Sequence, residues 1–199
     1  SDVEPKVSPK LADYGLTLDE PHPGVWQLES SALVLPERLV QTARQAWSKH
    51  STAAATTYLA NTIRIGEKSI PYSTVTGIEA APSLPTLSPP GDDEIVLNRW
   101  AADDLGAEVG DEVTISYYEP ESTHGELKEA APVTLKLVGI VDLVDADDKP
   151  TAANDPRLTP QLEGVTDAQS INNWDLPFEL VEEIRDQDET YWDDYRTTP

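Results

Sequence analysis

Two hydrophobic periods run along the chain, and each predicts its own elements. Around residues 14–18 and 25–35 the β-branched and aromatic content is that of strands. Between them Glu20-Pro21-His22-Pro23-Gly24 is expected to end any ladder, because proline has no N–H to give to one. From Pro36 the period changes. In PERLVQTARQAWSKH the residues Leu39, Val40, Ala43, Ala46 and Trp47 recur at helical spacing, which predicts an amphipathic helix lying on a sheet. Pro36 suits its first turn, where the missing N–H would have had no helical acceptor.

Residues 56–65 and 69–78 return to the two-residue period and meet at Gly66-Glu67-Lys68, which predicts a hairpin. The run APSLPTLSPPGDD over 81–93 is too rich in proline for regular structure and is the expected internal boundary. After it, EIVLN reads as a short strand. Asn98 has the side chain of a helix N-cap for RWAADDL, and Gly106 suits the left-handed residue that would end that helix. Gly110-Asp111 predicts a second tight turn, after which Val113, Ile115 and Tyr117 alternate inward. Residues 133–141 put Val133, Leu135, Leu137, Gly139 and Val141 on one face of a strand expected to pair with 113–117 across the polar loop EPESTHGELKEA. Trp100 and Leu105 would centre this unit. Residues 145–177 are acidic and without period, a surface excursion anchored by Trp174 and Phe178. The end predicts a short helix with Tyr191, Trp192 and Tyr195 as packing residues.

The expectation is an α+β fold with mixed or antiparallel sheets and two or three short helices. Its organisation would be a linker over 1–13, a strand-helix-hairpin subdomain over 14–80 and a Pro-rich linker over 81–93. A strand-helix-strand-strand subdomain would follow over 94–144, then an irregular acidic segment with a C-terminal helix packing back over 145–199.

Composition narrows what such a fold can serve. At 199 residues and 21.8 kDa the chain is long enough to bury a real core. With 37 acidic against 14 basic residues its formal net charge is -23, a surface that repels phosphate backbones and anionic headgroups. Nucleic acid is therefore excluded as a partner. There is no cysteine, which removes disulfides, thiolate nucleophiles and cysteine-ligated zinc together. The most apolar run, 135–144, is broken by Lys136 and Asp142 and is far short of the roughly 18 residues of a membrane span. The chain starts at Ser1 with no signal-peptide pattern and reads as a processed or excised piece of a longer protein.

Carboxylates are so abundant that pairs arise without purpose. Asp92-Asp93, Asp103-Asp104, Asp147-Asp148 and Asp193-Asp194 are neighbours in sequence, where side chains on a strand or helix point to different faces. A solvated acidic surface accounts for them. DADDK begins like a calcium loop, yet Lys149, Pro150 and Pro156 stand where an EF-hand needs an oxygen ligand, a glycine and a glutamate. His22, His50 and His124 are far apart, and none sits in HExxH. Ser122, His124 and Glu126 are two apart on one loop, whereas a triad draws its members from separate elements. No glycine pattern for phosphate occurs. Of Trp26, Trp47, Trp100, Trp174 and Trp192, four occupy core-compatible positions in predicted elements, and Trp174 lies in the irregular INNWDLPF. The reading is of no catalytic, metal-binding or cofactor-binding residue.

EIVLNRWAADDLGAEVGDEVTISYY followed by PVTLKLVGIVDL resembles the extracytoplasmic domain of FtsX-like ABC transporter permeases, the group that includes the MacB periplasmic core. The residues that carry the resemblance are Ile95 to Asn98, Leu105-Gly106, Gly110-Asp111, Val113 and Val138 to Val141. YLANTIRIGEKSIPYSTVTGIE, YYEPESTHGE, EGVTDAQSINNWDLPF and YWDDYRTTP are similar to the long ectodomains of a subset of these permeases. The resemblance implies a MacB-periplasmic-core-like fold and a non-catalytic domain on the outer face of the cell membrane. It would bind substrate or partner proteins and transmit ATP-driven movement. Its implied partners are an ABC ATPase subunit, reached through transmembrane helices outside this chain, a second permease copy, and a transported lipid, peptide or protein. No cofactor is implied. The alternative is an acidic enzyme with a double-psi-type β-barrel, using carboxylates such as Asp103, Asp104 or Asp111.

Overall fold

The computed structural model describes residues 10–30, 35–79, 90–120, 127–147, 151, 174 and 182–196. Residues 1–52 and 53–199 form separate units. In the first, a single 3-10 turn, Leu11–Tyr14, stops at Gly15, whose φ of 67° is the left-handed conformation that glycine adopts without a Cβ clash. Strands β1 (Leu16–His22) and β2 (Val25–Ser30) then pair antiparallel, with Leu16 opposite Ser30 and Leu18 opposite Leu28. Alternation puts these leucines on one face, with Thr17, Asp19, Gln27 and Glu29 on the other.

The ladder runs further than proline chemistry predicts. It continues to His22 opposite Val25 by way of a register shift between Asp19 and His22, so an irregularity absorbs Pro21 that was expected to end the strand. Helix α1 (Glu37–Ala46) follows, with Pro36 as its N-cap. Leu39, Val40 and Ala43 are half-buried, Ala46 is exposed, and no α1 residue is buried. The apolar stripe exists, but the described residues do not seal it as a helix lying on a sheet would be sealed.

The second unit contains a five-stranded mixed sheet, in the spatial order 68–78, 55–65, 112–116, 133–141 and 94–98. Strands β3 (Ala55–Ile65) and β4 (Lys68–Ile78) are the hairpin foreseen from the alternation, closed at Gly66 with φ 57°. Strand β5 (Glu94–Asn98) leads directly into helix α2 (Arg99–Leu105), and β6 (Glu112–Ser116) follows the corner. Strand β9 (Val133–Val141) fills the slot between the two strands that flank α2. It is antiparallel to β6, with Val113 opposite Leu135, and parallel to β5, with Ile95 opposite Leu137. A parallel neighbour needs a long crossover, which the intervening elements provide.

Helix α2 touches β4 and β5, the outermost strands of the sheet, so the sheet curls around it. Ala101, Ala102 and Leu105 face inward and meet Ile63, Ile70, Ile95, Leu97, Val113, Ile115 and Leu137 in one apolar cluster. Each fully buried aliphatic side chain there contributes about 1.5–3 kcal/mol relative to exposure. Small alanines at 101 and 102 let the helix lie close to the strands.

Two readings need correction. The stretch predicted as one polar loop contains a small antiparallel pair, β7 (Tyr118–Pro120) with β8 (Leu127–Glu129). Of the four tryptophans assigned to core packing only Trp100, half-buried, packs against the apolar cluster; Trp26 is 57% exposed, and Trp47 and Trp192 are half-buried without belonging to it. An indole is large and keeps one edge toward water unless its N–H finds a partner inside. Helix α3 (Asp186–Arg196) is the last of the described elements.

Candidate functional site

The corner between α2 and β6 is built almost entirely from backbone. Asn98 caps α2, its Oδ1 accepting from the Ala101 N–H at 2.8 Å. Gly106 ends the helix at φ 64°. The Gly110 N–H donates to the Leu137 carbonyl and the Leu137 N–H to the Asp111 carbonyl, both at 2.8 Å, which pins the turn to the middle of β9. The Asp111 carboxylate accepts from the Glu108 N–H at 2.9 Å and so closes its own turn. Gly110 has φ 109°, a conformation almost reserved for glycine. LGxxxGDxV is thus a bend that feeds Val113 into the core, with the Asp111 carboxylate employed in the bend.

Aromatic and charged side chains gather instead between α2 and α3 (Asp186–Arg196) with the residues before it. Trp100 stacks on Tyr191 with ring centroids 4.1 Å apart and 26° between planes. Asn98, besides capping α2, donates from Nδ2 to the Tyr191 hydroxyl at 2.7 Å. Trp174 meets Trp192 edge-on at 5.1 Å and Tyr72 at 6.4 Å, an arrangement set by the ring quadrupoles. Tyr72 is fully buried on β4 at φ 47°, and its hydroxyl accepts the Glu182 N–H at 2.7 Å. A non-glycine residue held there stores about 1–3 kcal/mol of strain, which the surrounding contacts offset.

Arg185 supplies the charge of this face. Its Nη2 lies 2.6 Å from Asp188 Oδ1 and 2.9 Å from Asp104 Oδ2, while its Nε donates to Asp188 Oδ2 at 2.8 Å. Asp188 also accepts the Arg185 N–H and is 2% exposed, so its charge is satisfied from one residue. Hydrogen bonding to Asp188 holds the guanidinium above its ordinary pKa; partial burial opposes this, and Asp104 reinforces it. Gln187 donates to the other Asp104 oxygen.

The carboxylates weighed for chemistry do not converge. Asp103 is exposed beside Arg99, whose guanidinium also takes Asp142 at 2.8 Å. Asp104, its neighbour in sequence, faces the other way to Arg185. Asp111 belongs to the corner. Asp92 and Asp93 are exposed in the turn before β5, and Asp147 is exposed. His50 is exposed after α1, and His22 lies at the end of β1. Ser122, His124, Glu126 and Asp148 lie outside the described residues, as do the side chains of Asp193 and Asp194. Among the described residues no three His, Asp or Glu side chains are placed to hold a metal ion.

Sequence reasoning missed Arg185, Asp188 and Tyr72. One signal was available: Arg185 and Asp188 are three apart at the start of a helical segment, the spacing at which side chain and backbone cap each other. No family model matches the chain, and no curated protein matches it.

Proposed function

We propose that this chain is an extracytoplasmic domain of an FtsX-like ABC transporter permease, a non-catalytic body that binds substrate or partner proteins and carries ATP-driven movement. What supports the reading is the use made of the residues behind the resemblance. Asn98 caps a helix, Gly106 ends it, Gly110-Asp111 bends the chain against β9, and Val113 is buried in the core. These residues are spent on architecture. Such a domain needs a body that moves as one piece, and a curled sheet whose outermost strands both touch α2 suits that role.

The carboxylate-enzyme alternative requires Asp103, Asp104 and Asp111 to act together. They face Arg99, Arg185 and a turn amide respectively, so that reading lacks the convergence it needs. Among the described residues no helix is long and apolar enough to cross a membrane, so anchoring in this reading comes from sequence flanking the domain.

The test is fractionation of the full-length gene product. Retention in the membrane pellet after an alkaline carbonate wash is expected, with this domain cleaved by protease added to intact cells stripped of their outer layers. Co-purification with an ABC ATPase is expected from detergent extracts. A gene product that stays in the soluble fraction overturns the proposal.

A further inference from the structure

The core closes without α3. None of its described side chains belongs to the apolar cluster, and the one among them that is fully buried is a carboxylate, Asp188. The described contacts from the C-terminal segment to α2 and β4 run largely through side-chain tips. They include the Tyr191 ring and hydroxyl, the Arg185 guanidinium and the Gln187 amide on Asp104, the Glu182 N–H on the Tyr72 hydroxyl, and the edge of Trp174 on Tyr72. An element that contributes little buried apolar surface opens at far lower free energy than the sheet beneath it.

Asn98 gives this contact a consequence. Its two amide atoms serve two helices: Oδ1 holds the first turn of α2, and Nδ2 holds Tyr191 on α3. A planar amide cannot turn toward one partner without turning from the other. Asn98 also ends β5, an outer strand of the sheet.

From this geometry we infer that α3 is a clip that opens and closes over α2 as a unit while the sheet stays folded, and that Asn98 relays its state to the start of α2. The relay rests on the permease reading only for its purpose, which would be to pass displacement at the C-terminal helix into the body. Opening itself is a property of the chain as it stands.

Amide hydrogen exchange resolved by NMR on the purified chain tests it without reference to transport. Tyr191→Phe keeps the stack on Trp100 and removes the hydroxyl, and losing one such bond shifts the opening equilibrium by about fivefold. Exchange should rise together in α3 and in the first turn of α2, with β6 and β9 unchanged. Asn98→Ser keeps a capping oxygen but is too short to reach Tyr191, so exchange should rise in α3 and stay at its original rate in α2. Arg185→Gln should raise α3 exchange by about tenfold or more, since it leaves Asp188 buried without its cation. If Tyr191→Phe raises exchange in β6 and β9 as well, α3 is part of the core and the clip is wrong. An unchanged α3 in that variant also overturns it. An unmoved α2 in Tyr191→Phe, or an α2 that moves equally in Asn98→Ser, overturns the relay.

Discussion

Residues 10–52 and the five-stranded sheet are built from similar alphabets and reach very different degrees of burial. In the first, Leu16 is the single buried hydrophobic residue described, while Leu11, Tyr14 and Trp26 are exposed. In the second, Ile70, Val113, Ile115 and Leu137 are each at most 1% exposed. The difference is one of layers. The hairpin β1–β2 has an apolar face but only two strands, and a lone pair of strands gains little without a third strand or a sealed helix. The later sheet has five strands and a helix that plugs its curl. Alternation creates a hydrophobic face in both; closure decides which face becomes a core.

The strongest way to test that contrast is to truncate one hydrophobic side chain on each side to alanine. Leu137→Ala removes a side chain that is 0% exposed at the middle of β9, and should cost about 2–5 kcal/mol in urea unfolding. Trp26→Ala removes a larger group that is 57% exposed, and should stay within about 0.5 kcal/mol of the parent. A large loss from Trp26→Ala would mean that residues 10–52 rely on a packing role for this ring. Next in size is Gly110→Ala. A Cβ there meets no atom within 4 Å, so any loss reports backbone strain at φ 109° and weakening of the bond to Leu137. The same unfolding measurement should register about 1–3 kcal/mol. An unaffected midpoint would show that the corner does not govern how β6 enters the core.

Much of the second unit was legible because its local signals agree with one another. The β3–β4 hairpin has alternation on both arms and a glycine at the turn, and α2 has an N-cap and a left-handed glycine at its ends. Such signals involve residues close in sequence. What stayed hidden depends on distant partners. The parallel pairing of β5 with β9 joins residues about forty positions apart, as with Ile95 and Leu137, and no local pattern states it. The face formed by Trp100, Tyr191, Arg185 and Asp104 was hidden for the same reason. Local chemistry also misled once: two prolines argued for a stop after Asp19, while a strand with an irregularity can carry one of them at its edge. For the carboxylates the sequence showed how many there are, and the fold determines that Asp103 and Asp104 face different cations.

Between the two extremes lies the part of the β3–β4 hairpin that outruns the sheet. Strand β3 pairs with β6 only at Thr62, Ile63 and Arg64, so residues 55–59 and 74–78 extend beyond that pairing as a two-stranded arm. Tyr58 on this arm rests its ring 5.7 Å from that of Tyr117, and partial burial, followed by the neighbouring Tyr117, holds its phenol above the usual value of 10.0. The sign follows from which form is favoured. The neutral phenol is preferred in the folded state, so its contribution is complete below the ordinary tyrosine pKa and is lost as pH rises through the raised folded value. The parent should therefore lose stability between about pH 9 and about pH 11 by slightly more than Tyr58→Phe, which has no proton to lose there. Because Tyr58 is 38% exposed the difference is the smallest of the set, and urea midpoints at the two pH values measure it. Identical pH profiles would place the arm with the solvent-washed hairpin of residues 16–30, whereas a difference assigns it to the body that the sheet encloses.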